Sequence, residues 1–187
     1  MAHSHNTLIR GLNAIVQQGP NVPVATDERF KAQDVVDLLF YVQSWAKMVH
    51  HHHWVEESYI FPEIEKLTGR PGFMDHLKHQ HELFHDGLGG LQRYASETAA
   101  RDYRWEGPGG MRAIIDSFSE ALMDHLYAEI DVFLGMESFA AGLRQTWTEA
   151  ENIAKQTGNL SMLASWGGIS PASLKTGTRI TDMFWAL

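Results

Sequence analysis

The feature that most constrains this chain is a set of histidines and glutamates at four-residue intervals within apolar helical stripes. The paired positions are His53 and Glu57, His81 and His85, and His125 and Glu129. Residues four apart lie above one another on one helix face. Apolar residues continue each stripe on both sides, so the six side chains should point into the interior. An uncompensated charge there costs several kcal/mol. A bound metal cluster would compensate directly.

The apolar periodicity predicts an all-α protein with four long helices separated by glycine and proline breaks. The expected helices cover residues 6–18, 27–61, 73–97 and 111–139. Pro62 should kink or end the second of them. Short connections imply an antiparallel up-down-up-down four-helix bundle. We assign residues 1–140 to this bundle and 141–187 to a C-terminal extension that packs on the bundle or on a partner. A fifth helix is expected over residues 143–157, ending at Gly158.

Composition excludes several classes of function. The 187-residue chain has a formal net charge of −8, which disfavours an electrostatic grip on nucleic acid or on an anionic membrane. It contains no cysteine, so thiolate zinc sites, cysteine nucleophiles and cysteine-held iron–sulfur clusters are absent. No run of 18 apolar residues and no signal-peptide pattern is found, so we expect a cytoplasmic protein.

The candidate ligands outnumber those of a simple metal site. Adding His5, at the start of the first helix, gives five imidazoles and two carboxylates. A structural zinc site needs four ligands, whereas seven fit two five- or six-coordinate metals with bridging carboxylates. The candidate set is His5, His53, Glu57, His81, His85, His125 and Glu129.

Three segments resemble the hemerythrin family, also called the HHE cation-binding domain. They are the run from His53 to Pro62, the His81–His85 segment and the His125–Glu129 segment; the start from His5 to Ile15 resembles the fungal branch of hemerythrin-like proteins. The resemblance covers about residues 3–137. It implies a four-helix bundle around two iron ions, bridged by an oxo or hydroxo group and by carboxylates. Manganese or a mixed iron–manganese pair is an alternative.

The resemblance also distributes the ligands. His81, His85 and His125 would bind one iron, and His5 and His53 the other, which keeps an open position. Glu57 and Glu129 would bridge the two. The fourth helix carries His-x3-Glu where oxygen-carrying hemerythrins have His-x4-Asp, which disfavours simple oxygen transport.

Two alternatives remain in the choice of ligands. His52 and Glu56 have the same spacing as His53 and Glu57. The position of the following Ile-Phe-Pro relative to the glutamate resembles the family motif more closely for the latter pair, and favours it. His3 competes with His5 at the start of the first helix.

We therefore expect a non-haem di-iron protein that binds and reacts with dioxygen or a related diatomic molecule, in oxygen or nitric oxide binding, peroxide handling or iron sensing. The alternative is a di-iron oxygenase or oxidase that acts on a small organic substrate. Its lid would be formed by aromatic residues of the extension: Trp147, Trp166, Phe184 and Trp185. An iron store or sensor without turnover is a third hypothesis, and the extension could instead form a homodimer contact. The motifs do not decide between turnover and binding, and they identify no catalytic residue beyond the ligands.

Overall fold

The structure is a computed structural model that describes the backbone of residues 1–166 and the side chains of residues 1–157. Seven α-helices account for most of the described part, which contains no strand. They are α1 (Ala2–Gln18), α2 (Ala32–Val55), α3 (Phe61–Thr68), α4 (Asp75–Glu97), α5 (Met111–Asp116), α6 (Ser119–Leu134) and α7 (Ala140–Trp166). No helix within the described residues is long and apolar enough to span a bilayer.

Four of the helices form a closed ring. Helix α1 packs against α2, α2 against α4, α4 against α6, and α6 returns to α1. The ring confirms the predicted four-helix bundle. Side chains cross between its members: the indole of Trp45 on α2 donates a hydrogen bond of 2.9 Å to the carbonyl of Leu8 on α1.

The helix ends largely follow the predicted breaks. Helix α3 is followed by Gly69, whose φ of 64° lies in the left-handed region that favours glycine. Helix α2 starts at Ala32, later than predicted. The preceding turn is held by Asp27, whose carboxylate accepts a hydrogen bond of 2.9 Å from the backbone N–H of Arg29.

A π-helical turn, Glu56–Ile60, joins α2 to α3 without a break in the chain of helical residues. Pro62 lies in the first turn of α3, where a proline is tolerated because the N–H groups of a first turn are not all needed by the helix. The predicted kink or end at Pro62 therefore takes the form of a local change of helix type. Single π turns of this kind are rare and are often found at functional sites.

The fourth predicted helix is divided in two. Phe118, with φ −134° and ψ −17°, leaves the helical region between α5 and α6. Its side chain is buried and stacks on Trp45 with ring centroids 6.4 Å apart. The interruption places Phe118 in the core while α6 carries His125 and Glu129 into the centre of the bundle.

The apolar interior forms two clusters at opposite sides of the histidine-rich layer. The upper core, as we name it, joins α1, α2, α4, α5 and α6 and contains Trp45, Phe84 and Phe118. The lower core is built around Phe61, Ile64 and Met74 and includes residues of α7.

Helix α7 is the predicted fifth helix, and it is longer than predicted. It begins at Ala140 and continues past Gly158, so the expected end at Gly158 is wrong. It packs on α2 and α3. Trp147 meets Phe133 edge-to-face at 5.4 Å, within the lower core. Of the proposed aromatic lid, Trp147 is therefore a packing residue, while the side chain of Trp166 and residues 167–187, with Phe184 and Trp185, lie outside the described residues.

Candidate metal centre

Two adjoining groups of donor atoms occupy the layer between the upper and lower cores. Within each group, one ligand atom from every residue lies within 4.8 Å of the others. Group 1 consists of His53, Glu56, His81 and His125. Group 2 consists of His5, His52, Glu56 and Glu129.

Group 1 brings together residues from α2, the π turn, α4 and α6. The ring centroids of His53 lie 4.5 Å from His81 and 5.2 Å from His125. The Nε2 atoms of His81 and His125 are 3.0 Å apart. Two nitrogens that bind one ion side by side at about 2.1 Å lie at about this separation. Group 1 therefore has the spacing of a coordination site.

Group 2 joins the start of α1 to α2, the π turn and α6. Nε2 of His5 lies 2.9 Å from Oε2 of Glu129, and Nε2 of His52 lies 2.9 Å from Oε1 of Glu56. These pairs also have separations suited to a shared ion. Both glutamates have no exposed surface, and His5 is buried.

Glu56 belongs to both groups because its two oxygens face in different directions. Oε1 lies beside His52, and Oε2 lies 3.6 Å from Nε2 of His81. A carboxylate placed in this way can bind one ion with each oxygen. Glu56 therefore offers one oxygen to each of the two groups.

Three of the histidines are oriented by hydrogen bonds at the ring nitrogen that faces away from the centre. Nδ1 of His5 donates to the carbonyl of Leu126 at 3.0 Å, and Nδ1 of His81 donates to the carboxylate of Glu57 at 2.6 Å. Nδ1 of His125 lies 3.3 Å from the amide oxygen of Gln80. Such outer bonds fix the ring and leave Nε2 for a metal.

Aromatic rings close the centre on both sides. Phe84, from the upper core, lies 4.9 Å from the ring of His53 and 5.6 Å from that of His125. Phe61, from the lower core, stacks on His81 at 5.6 Å. The centre is thus enclosed in apolar surroundings, which strengthen electrostatic interactions inside it.

Seven buried donor atoms of the described side chains have no hydrogen-bond partner, and all of them belong to the two groups. They are Nε2 of His5, His52 and His53 and both carboxylate oxygens of Glu56 and Glu129. A buried polar atom without a partner costs about 1–3 kcal/mol. Two cations placed among these atoms would satisfy them together, so the residues fit a di-metal centre.

Burial also sets the charge state of the centre in the absence of a cation. It lowers the pKa of His52 to about 4, that of His125 to about 2, and that of His53 well below its ordinary value. These imidazoles are neutral at pH 7, as metal ligands must be. Burial raises the pKa of Glu56 well above its usual range; burial and then the neighbouring Glu56 raise that of Glu129 to about 8.

The family model for the hemerythrin HHE cation-binding domain matches residues 1–165 of the chain. The chain belongs to this hemerythrin family. A curated relative, the dimeric xanthone biosynthesis cluster protein R11 of Cryptosporiopsis sp. (strain 8999), is 36% identical over 160 residues, which are 85% of this chain. The match spans 57% of the relative, so the chain covers little more than half of that protein. No solved structure matches the chain.

Five of the seven ligands predicted for this hemerythrin-like chain meet in the two groups. They are His5, His53, His81, His125 and Glu129. The competitor of His5, His3, is exposed. The other two members of the groups are His52 and Glu56, which the sequence offers only as the alternative register.

Glu57 and His85 lie outside both groups. Glu57 is half exposed and contacts His81 from the outer side, at Nδ1. His85 is 70% exposed and lies 3.5 Å from Asp86. The structure therefore differs from the predicted ligand set in one carboxylate and one imidazole. The donor count of five histidines and two glutamates is unchanged.

Loading of this centre should release protons at neutral pH. Without a cation, Glu129, with its pKa near 8, is mostly protonated at pH 7, and burial shifts the pKa of Glu56 in the same direction. A cation stabilises the ionised carboxylates, so each of them that becomes a ligand loses its proton. We expect about one to two protons released per chain, and an apparent affinity that rises as the pH increases from 6 to 8. Anaerobic calorimetry with Fe(II) in buffers of different ionisation enthalpy measures this number; a heat that does not depend on the buffer would contradict it.

Proposed function

We propose that this hemerythrin-family protein holds two iron ions and binds and reacts with dioxygen or a related diatomic molecule. His53, His81 and His125 would bind one ion, and His5 and His52 the other. Glu56 would bridge them and Glu129 would complete the second position. The observation that carries the proposal is the placement of Glu56, whose two oxygens face histidines of different groups.

The donor chemistry favours iron among the available metals. Imidazole suits iron, copper, zinc and nickel, whereas carboxylate oxygen suits harder ions such as iron and manganese. A centre that mixes five imidazoles with two carboxylates matches the overlap of these preferences. Iron at this centre would supply the one-electron chemistry that dioxygen requires.

The side chains of the protein would hold and enclose the centre. Group 2 has two histidines where group 1 has three, so its position has fewer protein ligands and is the better candidate for an open coordination site. Phe61 and Phe84 cover group 1 from both cores. A diatomic ligand would therefore bind more readily beside His5 and His52.

The test is anaerobic reconstitution with Fe(II), metal analysis and an optical titration with dioxygen. Two irons per chain and a reversible visible band are expected. A band that forms and then decays irreversibly would instead favour an oxidative enzyme. Fewer than two tightly bound irons, with no spectral response to dioxygen, would contradict the proposal.

A second candidate function is an oxidative step in the biosynthesis of a small organic molecule. The observation that favours it is the curated relative, whose name places it in a xanthone biosynthesis cluster. If this chain has a related role, its substrate would approach the position with fewer histidines. Substrate-dependent consumption of dioxygen by the iron-loaded protein would distinguish this function from reversible binding.

A further inference from the structure

Glu57 makes the shortest contact to any histidine of the centre, although it belongs to neither donor group. Its Oε1 accepts the Nδ1–H of His81 at 2.6 Å. It follows Glu56 directly in the π turn, so one residue faces the interior and the next reaches the outer edge of a histidine on α4. His81 is buried, whereas the Glu57 side chain is 49% exposed.

The acceptors behind the three oriented histidines differ in charge. His81 has a carboxylate, His125 has the amide oxygen of Gln80, and His5 has the backbone carbonyl of Leu126. A hydrogen bond to an ionised acceptor is shorter and roughly twice as strong as a neutral one. It also makes the imidazole a stronger electron donor through its other nitrogen. Of these three histidines, His81 therefore has the outer acceptor that adds most to the electron donation from Nε2.

We propose that Glu57 is a positioning residue that fixes the tautomer of His81 and makes the group 1 ion more electron-rich than it would be with a neutral acceptor behind His81. The first part concerns the protein without metal. The second part rests on the proposed function, since it requires that both positions bind iron. Two experiments separate these parts.

The first experiment determines the tautomer of His81 in the metal-free protein by nitrogen-15 NMR of the imidazoles. We expect the proton on Nδ1 in the wild-type protein and in Glu57→Gln, whose amide oxygen can also accept it. In Glu57→Ala, the population with the proton on Nε2 should increase. A wild-type His81 that carries its proton on Nε2 would overturn the inference, whether or not the protein binds iron.

The matched control is Glu82→Gln. Glu82 accepts a hydrogen bond of 3.0 Å from Nδ1 of His79, the same pairing of carboxylate and imidazole, but both residues are exposed and lie outside the donor groups. The variant should change neither the His81 tautomer nor iron binding.

The second experiment titrates each protein with Fe(II) and measures the midpoint potentials of the bound irons. Loss of a residue that orients a ligand typically weakens binding by 10–100-fold. In Glu57→Ala we expect this weakening for one of the two bound irons. Glu57→Gln should keep most of the affinity, because the hydrogen bond to His81 remains. One midpoint potential should become more positive, because the negative charge of the carboxylate is lost.

The outcomes distinguish the two proposals. Wild-type affinity for both irons in Glu57→Ala, with unchanged potentials in both variants, would overturn the role of Glu57 at the loaded centre. Failure of the wild-type protein itself to bind two irons would contradict the proposed function, and the tautomer measurement would then decide the inference alone.

Discussion

A Glu56→Gln variant is expected to hold no more than one iron per chain under conditions in which the wild-type protein holds two. Glu56 is the only described residue shared by the two donor groups, and each of its oxygens faces a different histidine. The glutamine keeps the shape of the side chain but replaces one oxygen with an amide nitrogen, which is a poor ligand. One metal position therefore loses its bridge.

The metal-free variant should fold as well as the wild-type protein. Burial raises the pKa of Glu56 well above its usual range, which favours the neutral carboxyl when no cation is bound, and a neutral amide of the same size introduces no buried charge. Urea unfolding of both metal-free proteins should give similar free energies of unfolding. A large loss of stability would show that Glu56 has a structural role beyond the metal.

Glu57→Gln is the matched control for this experiment. It makes the same chemical change at the adjacent residue, which points outward to Nδ1 of His81. At saturating iron it should still bind two ions, with only the affinity of one reduced. The opposite result, two irons in Glu56→Gln and one in Glu57→Gln, would show that the ligands are His53 and Glu57, the pair that the family motif favours.

Periodicity predicted the bundle because helix burial leaves a strong signal in the sequence. The stripes over α1, α2, α4 and α6 repeat every three or four residues, and glycine and proline mark the connections. The division between α5 and α6 left no such signal. Phe118 continues the apolar stripe, and only its packing against Trp45 shows why the helix is interrupted there.

The register of the site could not be derived from spacing alone. His52–Glu56 and His53–Glu57 are both four apart, and an ideal α-helix treats them alike. The π turn that begins at Glu56 removes this equivalence, because it changes the rotation per residue at the point where the two glutamates stand. Pro62 indicates that the helix is irregular nearby, but it does not indicate that the irregularity is a π turn.

The position of His85 follows from helix geometry that a four-residue rule overlooks. Four residues rotate an α-helix by about 40° beyond a full turn, whereas three fall short of it by about 60°. On α4 the buried side continues from His81 through Phe84 to Leu88, in steps of three and four. His81 already lies about 40° to one side of the line from Leu77 to Leu88, so His85 lies about 80° to that side and turns towards solvent, while Phe84 stays close to the line.

The second large effect concerns His53 and His85. We expect His53→Ala to lower the affinity for iron at group 1 by more than about 100-fold. That figure is the upper end of the range for loss of a residue that only orients a ligand. His53 is buried, and its ring lies 4.5 Å from His81 and 5.2 Å from His125, so its removal leaves that ion with two imidazoles. His85→Ala should retain two irons with wild-type affinity, because His85 is exposed and lies outside both groups.

This pair of variants tests the structure against the ligand set that the family motif implies. Both remove one imidazole from neighbouring helices, so a general loss of histidine would affect them alike. Iron per chain and the optical spectrum should change only in His53→Ala, and the metal-free proteins should be compared by circular dichroism. If His85→Ala loses an iron and His53→Ala keeps both, His85 must turn inward when the centre is loaded, and the third imidazole of group 1 would be His85 rather than His53.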